Sequence, residues 1–113
     1  MIWIPNQLVG ATEGHSVALE CNTEAHPTAT NFWVRNDHVV GSSDEKYETF
    51  QIANGYKVHM KLVVKDLNKE DFGVYRCVSK NALGETAGSV NLYSKIFFKL
   101  LLLFNLRHIR QVV

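Results

Sequence analysis
Between Ser16 and Asn22 the larger apolar residues fall at every second position: Val17, Leu19 and Cys21 on one side, Ser16, Ala18, Glu20 and Asn22 on the other. A period of two predicts a half-buried β-strand. The same period returns after Gly55, with Val58, Met60 and Leu62 inward and Lys57, His59 and Lys61 outward. It places Tyr75 and Cys77 inward between Val74, Arg76 and Val78, and then Gly88, Val90 and Leu92 inward in a last strand that ends at Tyr93. A strand near Asn31 to Asn36 turns Trp33 inward and leaves Phe32 and Val34 on the outer side of the same sheet. Ile2 to Val9 alternates more loosely and contains Pro5, which belongs on an edge strand or at a break between two short ones. Short strands are also predicted at Val39–Val40 and at Tyr47–Ile52. Turn residues separate them at Glu13-Gly14, Asn36-Asp37-His38, 41–44, Asn54-Gly55 and Asn81-Ala82-Leu83-Gly84. In the connection from Asp66 to Asp71, Leu67 is expected to plug the bottom of the core. The pattern is that of an all-β sandwich of seven or eight strands without internal repeats.

The last twenty residues, 94–113, break the pattern. Ile96 to Leu106 is apolar except for Lys99 and Asn105, with no Gly or Pro, and is predicted helical. Eleven helical residues reach about 16 Å, roughly half a bilayer core, so a transmembrane helix is not expected. The sequence therefore divides into a sandwich domain, 1–93, and a basic, apolar tail, 94–113. The run Leu100 to Phe104 is the expected aggregation site of that tail.

One motif organises the sandwich. Asp71-Phe72-Gly73-Val74-Tyr75-Arg76-Cys77 reads Asp-x-Gly-x-Tyr-x-Cys, and Trp33 stands twelve residues after Cys21, the only other cysteine. Cys…Trp…Cys with a Tyr two residues before the second Cys resembles the frame of immunoglobulin-type sandwiches. In that fold the cysteines join the two sheets, the Trp packs on the disulfide, and the Tyr hydroxyl bonds back to backbone at the corner entering its strand. Cys21 and Cys77 are accordingly expected to pair. Gly73 suits a corner where a Cβ would crowd the turn. Asp71 can accept from backbone N–H groups or pair with a base, for which Lys46 is the candidate.

Composition changes little. The 113 residues suffice for one domain, and a net charge of +1 points to neither nucleic acid nor a polyanion as partner. The charge is unevenly spread: from Ser94 onward there are four bases and no acid, whereas 1–93 carries eight bases against eleven acids, a net of −3. Met1 to Pro5 lacks the basic start and long apolar run of a signal peptide. Two settings fit: a piece of a longer secreted chain with the disulfide formed, or a cytosolic domain with reduced thiols.

A closer resemblance rests on Met1-Ile-Trp-Ile-Pro-Asn-Gln-Leu-Val-Gly-Ala11, Leu19-Glu-Cys21, Phe32-Trp33, Gly55-Tyr-Lys57 and the run from Asp71 to Gly84. Over residues 1–93 these resemble the third, membrane-proximal immunoglobulin domain of the insect Dpr-interacting proteins, the DIP family. Lachesin and the vertebrate IgLON proteins are related. The resemblance implies an I-set sandwich, a Greek key with one inter-sheet disulfide. It implies a neuronal adhesion and recognition protein at the cell surface, often lipid-anchored. Its partners would be Dpr-type immunoglobulin proteins or further copies of itself, with a neighbouring immunoglobulin domain in cis. Recognition of Dpr partners would lie in the first domain, leaving the third as a spacer near the membrane. The tail departs from the family: Arg107 to Val113 is too basic for a lipid-anchor signal, which ends apolar, so membrane attachment is left open.

Candidate functional residues are few. No metal-ligand spacing, Cys-x-x-Cys pair or nucleophile elbow occurs, so neither catalysis nor a cofactor is expected. Phe32, Val34, Val39, Val74 and Val78 could form an outward apolar patch, a possible partner-binding face. Lys57, His59, Lys61 and Lys65 could form a basic stripe for a sulfated glycan. The rival readings are an intracellular, muscle-type I-set domain and a ligand-binding receptor domain.

Overall fold
The computed structural model describes residues 1–41, 45–96 and 99–104. Among the described residues nine strands form in chain order: β1 (Ile2–Trp3), β2 (Leu8–Ala11), β3 (Val17–Glu24), β4 (Thr30–Arg35), β5 (His38–Val40), β6 (Tyr47–Asn54), β7 (Lys57–Val64), β8 (Gly73–Asn81) and β9 (Gly84–Ser94). They make two sheets, β1-β3-β7-β6 and β2-β9-β8-β4-β5. This is the two-sheet immunoglobulin sandwich that the sequence frame implied.

Pro5 sits where the first strand divides. Before it, β1 pairs antiparallel with β3; after it, β2 pairs parallel with β9 in the other sheet. A residue without an N–H interrupts a ladder at little cost where the chain is changing sheets. Ile2 and Ile4 pack on the core during that crossing, and Gly88 makes room for them: a Cβ there would stand 2.6 Å from Ile4 Cδ1.

The core lies between the sheets, and the period-two residues fill it. Leu19, Cys21, Met60, Leu62, Tyr75, Cys77, Val90 and Leu92 are buried, and Leu67 closes the lower end. Val58 is only partly buried, because its position near the β6–β7 turn lies at the rim; Val64, further along β7, is buried in its place. Cys21 and Cys77 form the disulfide across the sandwich. Trp33 lies beside Cys77 in the β4–β8 ladder and is almost wholly buried.

The last strand runs one residue beyond the expected end, to Ser94, which pairs with Ala11. Beyond it, residues 95–96 and 99–104 are helical, and the apolar side chains from Leu100 to Phe104 are exposed. Among the described residues no helix is long and apolar enough to cross a membrane. The expectations for 42–44, 97–98 and 105–113 fall outside the described residues.

Candidate functional site
The motif residues meet at one corner, where the chain passes from β7 to β8. Tyr75 is fully buried, and its hydroxyl donates to the Asp71 carbonyl at 2.7 Å. Burial pushes the phenol pKa well above the ordinary tyrosine range; Tyr47 adds to the shift and Arg35 opposes it. The Asp71 carboxylate is nearly buried and does two jobs at once. Its Oδ2 lies 2.6 Å from Lys46 Nζ and accepts the Asn68 N–H at 2.8 Å. Lys46 also donates to the Asp66 carbonyl at 2.7 Å, tying the entry of β6 to this connection. The Asn68 side chain accepts from the Glu70 N–H at 3.1 Å, so side-chain and backbone bonds cap the short 3-10 turn Lys69–Asp71 reciprocally.

Arg35 is the residue that sequence reasoning missed. Its guanidinium donates to the carbonyls of Glu70 and Phe72 at 2.8 Å and to that of Val74 at 3.0 Å. It also lies over the Tyr75 ring, 4.7 Å from the centroid. The signal was present: Arg35 shares the period-two face of Trp33, and a cation turned inward must find acceptors. Arg35 also explains Gly73. That residue has φ +136°, and a Cβ there would stand 2.6 Å from Arg35 Nη1. The crowding comes from the guanidinium as well as from the backbone turn.

The outward patch is less continuous than the sequence suggested. Register sets Phe32 beside Val78, and Val78 beside Ala87. Val34 lies between Arg76 and Val39 in the next row. Val74 stands apart, opposite Asn91. Val78 must be withdrawn from the face: it is 4% exposed, because flanking strands cover an outward side chain on a central strand. Phe32 and Val34 are half-buried, and only Val39 and Val74 are well exposed, at 66% and 48%. Arg76 ends the Val34–Val39 row and, on β8, stands between Val74 and Val78, so that it sets Val74 apart from the rest.

The basic stripe is also corrected. His59 has Glu20 at 3.6 Å and Asn22 Oδ1 at 2.8 Å, while Lys65 has Glu48 at 3.0 Å. Lys57 and Lys61 are registered against Glu24 and Glu20. Alternation along one strand revealed the cations; the neighbouring strands bring the acids that match them. Among the described residues no cluster of three or more His, Cys, Asp or Glu side chains is placed to hold a metal ion.

Residues 1–81 match the immunoglobulin domain family. Among solved structures, the chain resembles one in the crystal structure of Dpr2 Ig1-Ig2 in complex with DIP-Theta Ig1-Ig3, at 44% identity and a TM-score of 0.80, covering 83% of this chain and 32% of that one. It is 27% identical over 96 residues to lachesin of Schistocerca americana, 85% of this chain and 27% of lachesin. It is 32% identical over 95 residues to neural cell adhesion molecule 1 of Bos taurus, 81% of this chain and 10% of that protein. The chain thus spans a third or less of each of these relatives. With the inter-sheet disulfide, the buried Trp33 and the Tyr75 corner in place, and the match extending over most of the sandwich, the chain belongs to the immunoglobulin domain family, with homologues among cell-adhesion proteins.

Proposed function
We propose that this chain is a non-enzymatic, extracellular domain of a neuronal cell-surface recognition protein of the Dpr-interacting kind. It corresponds to the third, membrane-proximal domain and acts as a spacer. The observation that carries this reading is the 44% identity, at a TM-score of 0.80, to a chain of the Dpr2–DIP-Theta complex. The match covers 32% of that chain, a share that suits one domain of three, as in Ig1-Ig3, better than one of two. The opening Met1-Ile-Trp-Ile-Pro5 and the run from Asp71 to Gly84 support the third-domain assignment.

The candidate face supports a spacer role. Binding hot spots are dominated by Trp, Tyr and Arg set in desolvated pockets. Here the outward apolar residues are mostly valines, Val78 is covered, and Arg76 sets Val74 apart from the others. The β8–β9 turn, Ala82-Leu83, carries neither an aromatic residue nor an arginine. Partner recognition would then lie in other domains of the parent molecule, with this one setting height and orientation at the cell surface.

Surface plasmon resonance of the chain over immobilised Dpr first domains tests the proposal. No saturable signal is expected. A sub-micromolar signal that Phe32→Ala abolishes would make the β4–β8 face a binding site and sink the spacer reading. Intact mass with and without reduction supplies a second test. Free thiols at Cys21 and Cys77 in secreted protein would favour the intracellular muscle-type reading.

A further inference from the structure
Three of the four sheet edges are short: β1 has two residues, β2 four and β5 three. The fourth is β6, eight residues long, paired to β7 from Tyr47↔Val64 to Asn54↔Lys57. Among the described residues no strand pairs with its other side. Such an edge offers a row of backbone donors and acceptors to another chain, and proteins usually guard it with lysine, proline, a bulge or brevity. The sequence of β6, Tyr-Glu-Thr-Phe-Gln-Ile-Ala-Asn, contains neither proline nor cation. Its one charge, Glu48, is matched within the domain by Lys65 at 3.0 Å. Phe50 and Ile52 stand on its outer face, 47% and 69% exposed.

We propose that β6 is a homophilic pairing edge that joins, antiparallel, β6 of a second copy of this chain. The strand is self-complementary, and this favours a second copy over an unrelated peptide. Directly opposed residues of an antiparallel pair lie on the same face. With the two-fold axis at Gln51, Glu48 to Asn54 form a continuous ladder in which Phe50 meets Ile52, Thr49 meets Ala53 and Glu48 meets Asn54. The apolar residues come together in the middle, and the two carboxylates stand at opposite ends. Moving the axis to Phe50 would set Glu48 against Ile52; moving it to Ile52 would set Phe50 against Asn54 and shorten the ladder. A single ladder buries less than the roughly 1,200 Å² at the low end of standard interfaces. The pairing is therefore weak in solution and gains from many copies held on one surface. It needs only this domain and stands whether or not the parent recognises Dpr-type partners.

Sedimentation velocity of the full chain, from micromolar to near-millimolar concentration, tests the proposal. It is run beside two variants whose folding is checked by circular dichroism: Phe50→Lys with Ile52→Lys in the edge, and Leu101→Lys with Leu103→Lys in the tail. Hydrogen exchange of the β6 amides is followed at both concentration limits. The expected result is a mass rising toward twice the monomer, lost in the edge variant and kept in the tail variant, with slowed exchange across β6 at high concentration. A monomer throughout overturns the proposal, as does association that survives in the edge variant. If both variants are monomeric, or if the edge variant is unfolded, exchange in the unmodified chain decides: slowing across β6 supports the edge, and unchanged rates overturn it.

Discussion

Replacing Tyr75 by Phe removes one oxygen from the lower corner and leaves the ring. The phenol is fully buried and donates to one acceptor, the Asp71 carbonyl at 2.7 Å. A buried hydrogen bond contributes about 0.5–1.5 kcal/mol net, and a polar group stranded by its removal costs about 1–3 kcal/mol. A loss of about 2 kcal/mol at neutral pH follows, because the carbonyl loses its partner while the cavity is too small to matter. The pH dependence sharpens the test. Burial raises the phenol pKa in the folded state above its unfolded value of about 10. The folded chain therefore keeps a proton that the unfolded chain releases, and this contribution is fully present below about pH 10 and declines above it. The decline is at most about 1.4 kcal/mol per pH unit. Phe at this position has nothing to titrate, and the other ionising groups are shared and cancel in the difference. The gap between the two proteins should accordingly be about 2 kcal/mol at neutral pH and shrink to below about 1 kcal/mol near pH 11. Urea denaturation followed by tryptophan fluorescence, across that range, measures it. A gap absent at neutral pH, or one constant into the alkaline range, would refute the reasoning.

Two further outcomes are expected. Gly73→Ala places a methyl group 2.6 Å from Arg35 Nη1 at φ +136°, and should destabilise by about 2 kcal/mol or more, read from the same denaturation curves; measured in an Arg35→Ala background, the same substitution should lose the steric part of its cost and keep the strain. Cutting the chain after Ser94, the last residue paired in β9, should leave the melting temperature within a few degrees and raise solubility, because Leu100 to Phe104 are exposed; a large fall in melting temperature would show that the tail is packed structure.

Sequence alone determined the elements that have one wet face and one dry one. Alternation at Val17, Leu19 and Cys21, and at Met60 and Leu62, placed those side chains correctly because a strand has only two faces and burying one dictates the other. The Cys-Trp-Tyr-Cys frame located the disulfide, since its residues need fixed spacing to meet. Pro5 marked the split of the first strand, for it cannot donate to a ladder. What alternation could not supply was any fact about the neighbouring strand. Val78 was assigned to the correct face, yet it is buried because Phe32, from a strand distant in the chain, and Ala87, from the next strand, flank it on both sides. Lys57, His59, Lys61 and Lys65 read as a stripe until β3 and β6 brought Glu20, Glu24 and Glu48 alongside. The role of Arg35 depended on three carbonyls 35 to 39 residues away, which converge only once the β7–β8 connection has folded under β4. The open edge at β6 follows from strand order, and strand order is a property of the closed sandwich alone.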